Sequence, residues 1–187
     1  MSIRMHTTRR ILRVLKYIRD QFRAKLNPLG YARSIGVRLG SNVTFYGMHP
    51  GMFGTEPWLI TIGDDVYITA GCQFITHDGG TLILRKQVPD LELTAPITIG
   101  NDVYLGIRTV ILPGVSIGNH CIIGAGSIVS RSIPDNCVAA GVPARVIRST
   151  DEYMENAQVR SLHIGHLSAK EKALALKKHF GIKAALK

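Results

Sequence analysis

The chain has 187 residues, is 45% hydrophobic and carries a formal net charge of +10, enough apolar material for one ordinary core or one repeat array with appendages. No apolar run approaches the roughly 20 residues of a membrane span, and the N-terminus lacks the apolar block of a signal peptide. Three cysteines with no Cys-x-x-Cys pair argue against a disulfide framework or a zinc site, and for a reducing, intracellular setting.

Residues 1–30 are expected to form a basic amphipathic helix. Ten Lys and Arg face a single acid, Asp20, over residues 1–38, which accounts for nearly all of the net charge. Ile11, Leu15, Ile18 and Phe22 recur on one helical face. The simplest expectation is a helix docked by this stripe with its basic face in water. The alternative is attachment to an anionic membrane surface, which would put a cytoplasmic protein at the inner face of the membrane. A nucleic-acid partner is not expected.

Residues 31–148 are organised in sixes. IGDDVY, ITAGCQ and FITH place Ile62, Ile68 and Phe74 in the first position, after a weaker start at Leu39. From Ile99 the blocks IGNDVY, LGIRTV, ILPGVS, IGNHCI, IGAGSI and VSRSIP keep the same frame at Leu105, Ile111, Ile117, Ile123 and Val129. Fifth positions such as Val66, Cys72, Val103 and Cys121 are small or β-branched. A period of six suits a short strand plus a turn. Three such strands make one triangular coil, and stacked coils share a continuous aliphatic core. Second-position glycines allow unusual backbone angles or close approach at a repeated corner.

Between the two runs lies FITHDGGTLILRKQVPDLELTAPITIG, where the frame stops at His77. A break in a solenoid maps to a loop on its binding face, and residues 78–96 are too long for an ordinary connection. His77 stands where the last strand hands over to that loop. An unperturbed imidazole is mostly neutral at pH 7 and can accept a proton. Asp78, Glu56 or a backbone carbonyl could fix its tautomer.

Beyond Arg148 the period ends, and residues 149–187 are expected to form a helical cap over the open end of the coil. Ser149 with Glu152 and Ser168 with Glu171 have capping-box spacing. Gly181 after KKHF reads as a helix stop.

The run ITIGNDVYLGIRTVILPGVSIGNHCIIGAGSIVSRSIPDNCVAAGVPARVIR resembles the galactoside, maltose and xenobiotic O-acetyltransferases of the hexapeptide-repeat family. The resemblance implies a mainly β fold, a left-handed parallel β-helix, against the usual right-handed crossover rule. It implies acetyl-CoA as co-substrate, no metal, and His77 as catalytic base. Ile107 and Ala125 match positions beside the pantetheine arm, Ser130 and Arg131 a pair near the nucleotide, and Arg145 and Arg148 two arginines that meet phosphates. The Asn-rich coil that serves the acceptor in those enzymes has no counterpart in VTFYGMHPGMFGTEPWLI.

The expected reaction is acetyl transfer to a sugar hydroxyl of a polysaccharide or a lipid-linked glycan precursor. With no serine or cysteine in a nucleophile motif, direct transfer is favoured over an acyl-enzyme. The alternatives are N-acetylation of a nucleotide amino-sugar, O-acetylation of an antibiotic, a non-catalytic scaffold, or a γ-type carbonic anhydrase with three zinc-binding histidines. The half-apolar loop (Leu82, Ile83, Leu84, Val88, Leu91, Leu93) is expected to reach over a neighbour in a homotrimer, placing His77 in a groove shared by two chains.

Overall fold

The computed structural model describes residues 2–182, with side chains from Arg10 onward except Ile11, so that first member of the expected stripe lies outside the described side chains. The chain divides into two units, Met1–Thr150 and Asp151–Lys187.

The first unit is mainly β, with two helices before the strands. One parallel sheet holds β1 (Arg38–Leu39), β3 (Ile60–Ile62), β6 (Ile97–Ile99) and β9 (Ser116–Ile117). A second holds β2 (Thr44–Tyr46), β4 (Tyr67–Thr69), β7 (Val103–Leu105), β10 (Cys121–Ile123) and β12 (Cys137–Gly141), and a third holds β5 (Gln73–Phe74), β8 (Val110–Ile111) and β11 (Ile128–Val129). From β3 to β11 the chain visits the three sheets in rotation. Partners in the later coils are eighteen residues apart, as in Thr98 with Ser116, Tyr104 with Ile122 and Val110 with Ile128. That is three hexapeptides per turn.

The first-position residues form the core, with Ile62, Ile68, Phe74, Ile99, Leu105, Ile111, Ile117, Ile123 and Val129 all at most 1% exposed. The fifth-position Val66, Cys72, Val103, Thr109, Cys121 and Ser127 are buried among them. The two polar members are satisfied inside. Thr109 Oγ1 donates to the Gly106 carbonyl at 2.7 Å and Ser127 Oγ to that of Gly124 at 2.6 Å.

The corner between the first and second sheets explains the Gly-Asn/Asp spelling of the repeat. Each polar side chain there accepts a backbone N–H from the coil before it. Ser41 donates to Asp64 (2.6 Å), Asp64 to Asn101 (2.8 Å), Asn101 to Asn119 (2.9 Å) and Asn119 to Asp135 (2.7 Å). This ladder satisfies donors that the corner would otherwise leave without sheet partners. The glycine beside each rung is required by proximity. A Cβ on Gly100 would lie 2.8 Å from both Asn119 Oδ1 and the Gly118 carbonyl oxygen.

The N-terminal end departs from expectation. Helix α1 (Ser2–Leu26) ends at Asn27, whose side chain accepts the Gly30 N–H (2.9 Å), and Pro28 starts a separate helix α2 (Pro28–Ser34). α2 covers the first coil, with Ala32 buried in the core and Leu29 packed against it. α1 is therefore not docked by its apolar stripe. Leu15, Ile18 and Phe22 are exposed, whereas Ala24, off the stripe, is 1% exposed. The Asn27–Pro28 junction sets the direction in which α1 leaves α2, and so which of its faces is covered.

At the other end, β13 (Ala144–Ser149) folds back antiparallel on β12, a hairpin that the hexapeptide frame did not predict. The second unit contains most of α4 (Thr150–Arg160) and all of α5 (Ala169–His179). α5 has the expected capping box, with Ser168 and Glu171 bonded reciprocally. It ends at Gly181 (φ +64°), where Gly181 N–H donates to the Lys178 carbonyl at 3.3 Å and Ile182 N–H to that of Lys177 at 2.9 Å. Those two bonds make a Schellman stop.

Candidate active site

Two insertions interrupt the coil, and His77 lies between them. Tyr67 pairs with Tyr104 at a separation of 37, nineteen more than one coil. Thr44 pairs with Tyr67 at a separation of 23, five more than one coil. The longer insertion is the loop after His77; the shorter lies within residues 47–59.

The shorter insertion folds inward. Met52 and Phe53 are fully buried, the Phe53 ring lies 5.2 Å from that of Phe74, and Phe74 N–H donates to the Met52 carbonyl at 2.9 Å. Met52 thereby stands on the third sheet's first rung, where a regular coil would have a strand. Four residues on, the same segment delivers Glu56 to His77.

Glu56 Oε2 lies 2.8 Å from His77 Nδ1 and accepts the Thr76 hydroxyl at 2.7 Å, while Oε1 accepts the Thr55 hydroxyl at 2.6 Å. These bonds hold the Glu56 carboxyl at about 2, well below its ordinary value of 4.5, with the Thr55 hydroxyl the largest cause and Thr76 and His77 adding to it against the effect of burial. A carboxylate accepting several bonds stays ionised. Facing an acceptor-only group, Nδ1 carries the proton and Nε2 keeps its lone pair. Asp78 turns away, its Oδ1 accepting the Gly80 N–H at 2.8 Å.

The neck of the longer loop is hydrogen bonded. His77 and Thr94 form an antiparallel bridge, Asp78 N–H donates to the Leu93 carbonyl and Ala95 N–H to that of Thr76, both at 2.8 Å. The excursion includes a short helix, α3 (Thr81–Leu84), and leaves Leu82, Ile83, Leu84, Val88 and Leu93 exposed. Beside the neck is an open cavity of about 620 Å³, bordered by His77, Leu93, Thr94 and the stacked column Ile75, Leu112 and Ser130.

Of the residues matched to the donor, Ser130 shares this cavity with His77, and Arg131 is exposed next to it. Ile107 and Ala125 lie elsewhere. Both are exposed between the second and third sheets, coupled by the Gly126 N–H bond to the Ile107 carbonyl (2.7 Å). Arg145 and Arg148 are on β13, with Arg145 opposite Ala140, which sits over Gly124 beside that same corner. Within one chain, then, Ser130 and Arg131 fall on one corner and Ile107, Ala125 and Arg145 at another, while Arg148 pairs with Val138 further back along the second sheet. Among the described residues, no three His, Cys, Asp or Glu side chains cluster to hold a metal.

The comparisons agree on the lineage. A family model described as bacterial transferase hexapeptide (six repeats) matches residues 96–131. Protein CapG of Staphylococcus aureus is 41% identical over 129 residues, 67% of this chain and 75% of that protein. The chain belongs to the hexapeptide-repeat family of acyltransferases. Another relative, the galactoside O-acetyltransferase of Escherichia coli (strain K12), is 45% identical over 120 residues, 60% of this chain and 57% of its own length. A solved galactoside acetyltransferase in complex with coenzyme A superposes with a TM-score of 0.56 at 30% identity, over 75% of this chain and 82% of that one.

Thr55 and Thr76 escaped sequence reasoning, and Glu56 was one of three candidates. The usable signal was the five-residue excess in the coil preceding His77. An insertion one turn below a junction residue lands beside it.

Proposed function

We propose that the protein is an acetyl-CoA-dependent O-acetyltransferase on a left-handed β-helix, with His77 as general base and a glycan hydroxyl as acceptor. The Glu56–His77 pair carries this reading. Its carboxylate fixes the imidazole with Nε2 free and stabilises the charge that forms when His77 takes a proton.

His77 removes the acceptor's hydroxyl proton as the oxygen attacks the thioester carbonyl carbon. A tetrahedral oxyanion forms and collapses with cleavage of the C–S bond. The proton on His77 then passes to the departing thiolate, so the products are the acetyl ester and free coenzyme A. Apolar Ile75 and Leu112 beside His77 suit the uncharged arm of the donor. Arg145 and Arg148 suit phosphate, since a guanidinium meets phosphate oxygens in pairs.

Because the two sets of donor residues occupy different corners, one chain alone does not assemble the site. A cyclic homotrimer brings the His77 corner of one copy against the Ile107–Ala125 corner of the next, and the exposed apolar loop would be covered there. The three free cysteines fit an intracellular location.

The test is transfer from radiolabelled acetyl-CoA to a panel of glycans and amino-sugars. The label should leave the product in mild base, as an ester does and an amide does not. His77→Ala should lower turnover by roughly 10² to 10⁴ with little change in acetyl-CoA affinity. Turnover within threefold of wild type would remove His77 from the mechanism.

A further inference from the structure

The exposed stripe of α1 is the largest feature that acetyl transfer leaves unexplained. Val14, Leu15, Ile18, Phe22 and Leu26 share one side of the helix and are all exposed, Phe22 by 61% and Leu26 by 80%. The fold covers the side that carries Ala24 instead. An apolar face of this size in water needs an occupant.

The charges around it indicate which. Arg19, Arg23 and Lys25 flank the stripe, and the only acid of α1, Asp20, is bonded to Arg19 at 3.1 Å. Where α1 meets α2, an open cavity of about 530 Å³ is bordered by Phe22, Leu26 and Tyr31 together with Arg19 and Arg23. Arg23 is held in place there, 3.1 Å from Ser34 Oγ and with its guanidinium over the Tyr31 ring. Cations on a frame beside apolar side chains match a phosphodiester above acyl chains. A second copy of the helix fits poorly, because face-to-face stripes would bring two sets of like charge together.

We propose that α1 is an interfacial anchor that lays its stripe into a bilayer of anionic phospholipid, with its basic residues against the headgroups. The inference is independent of the acetyl-transfer reading.

The experiment is sedimentation of the full chain with vesicles, either pure phosphatidylcholine or phosphatidylcholine with phosphatidylglycerol at about 2:1. The protein should pellet with the mixed vesicles at low salt, release as salt is raised, and ignore the neutral ones. Ile18→Asp with Phe22→Asp should cut partitioning at least tenfold, circular dichroism confirming the fold. Arg19→Gln with Lys25→Gln, which leaves the stripe intact, should weaken binding and flatten its salt dependence. Failure of the intact protein to pellet with mixed vesicles would overturn the anchor. So would unchanged binding by both variants. If wild type ignores vesicles and the aspartate variant loses assembly mass in sedimentation, the stripe is instead an interface between copies, which also overturns it.

Discussion

The two insertions differ in what they do with apolar residues. Residues 47–59 turn Met52 and Phe53 inward to complete the core beside Phe74, with Trp58 left exposed. Residues 78–96 turn theirs outward, leaving Leu82 and Ile83 exposed above a hydrogen-bonded neck. One insertion is a plug that positions Glu56; the other is an arm that the described residues leave uncovered. His77 stands between them, with a carboxylate from the plug on one side and a cavity beside the projecting arm on the other, and the proposed role as base rests on that position. A repeat fold can thus build a site by failing twice at neighbouring rungs.

The comparison breaks most sharply at the plug. Phe53→Ala removes a fully buried ring in contact with two others, so we expect a stability loss of about 3–5 kcal/mol by urea unfolding. A loss below about 1 kcal/mol would mean that the segment is not part of the core. Glu56→Gln tests the plug's chemical role. It keeps the side chain's shape but loses the charge that stabilises an imidazolium, and turnover should fall on the order of 10² with the KM for acetyl-CoA unchanged. Glu56→Asp should recover part of the loss. A KM effect with normal turnover would make Glu56 a binding residue.

The legibility of the sequence followed the same division. Ile62, Ile99 and Ile117 were readable as core because a six-residue period returns the same aliphatic position to the inward side of each strand, whatever the neighbours do. The β12–β13 hairpin was not, since after Val129 the first position falls on Asp135 and Gly141 and the frame stops predicting; only the antiparallel pairing of Ala140 with Arg145 shows the chain reversing. The stripe of α1 was visible, but not which face would be covered. That was decided by a cap at Asn27 and a proline at 28, which fix a direction without leaving any periodic trace. Glu56 needed the coil register, a relation between Thr44 and Tyr67 across the insertion that no local pattern records.

A smaller effect separates charge from packing at Glu56. Its carboxyl is depressed from 4.5 to about 2 in the folded protein. A depressed carboxyl contributes its stabilisation in full above the unfolded value and loses it as pH falls through the folded one. The stability advantage of wild type over Glu56→Gln should therefore be flat above about pH 5 and shrink between about pH 4.5 and 2. Thermal melts of the two proteins across that window provide the measurement. An advantage that persists undiminished to the acid end would assign Glu56 a packing role.

The smallest expected effect on stability belongs to the arm, and it tests the outward half of the comparison. Ile83 is 78% exposed, so Ile83→Ser removes no contact from the chain's own core. In a separated subunit it should shift stability by no more than about 0.5 kcal/mol. In the proposed trimer the same side chain lies against a neighbouring copy, and removing its apolar surface weakens association. The expected signature is a concentration-dependent fall in assembly mass and in activity together, with the melting curve of the subunit unchanged. Shortening residues 79–92 to two glycines should abolish both. If the shortened protein stays monomeric by light scattering and keeps full activity, the arm neither holds a partner nor walls the site, and the break in the repeat would need another cause.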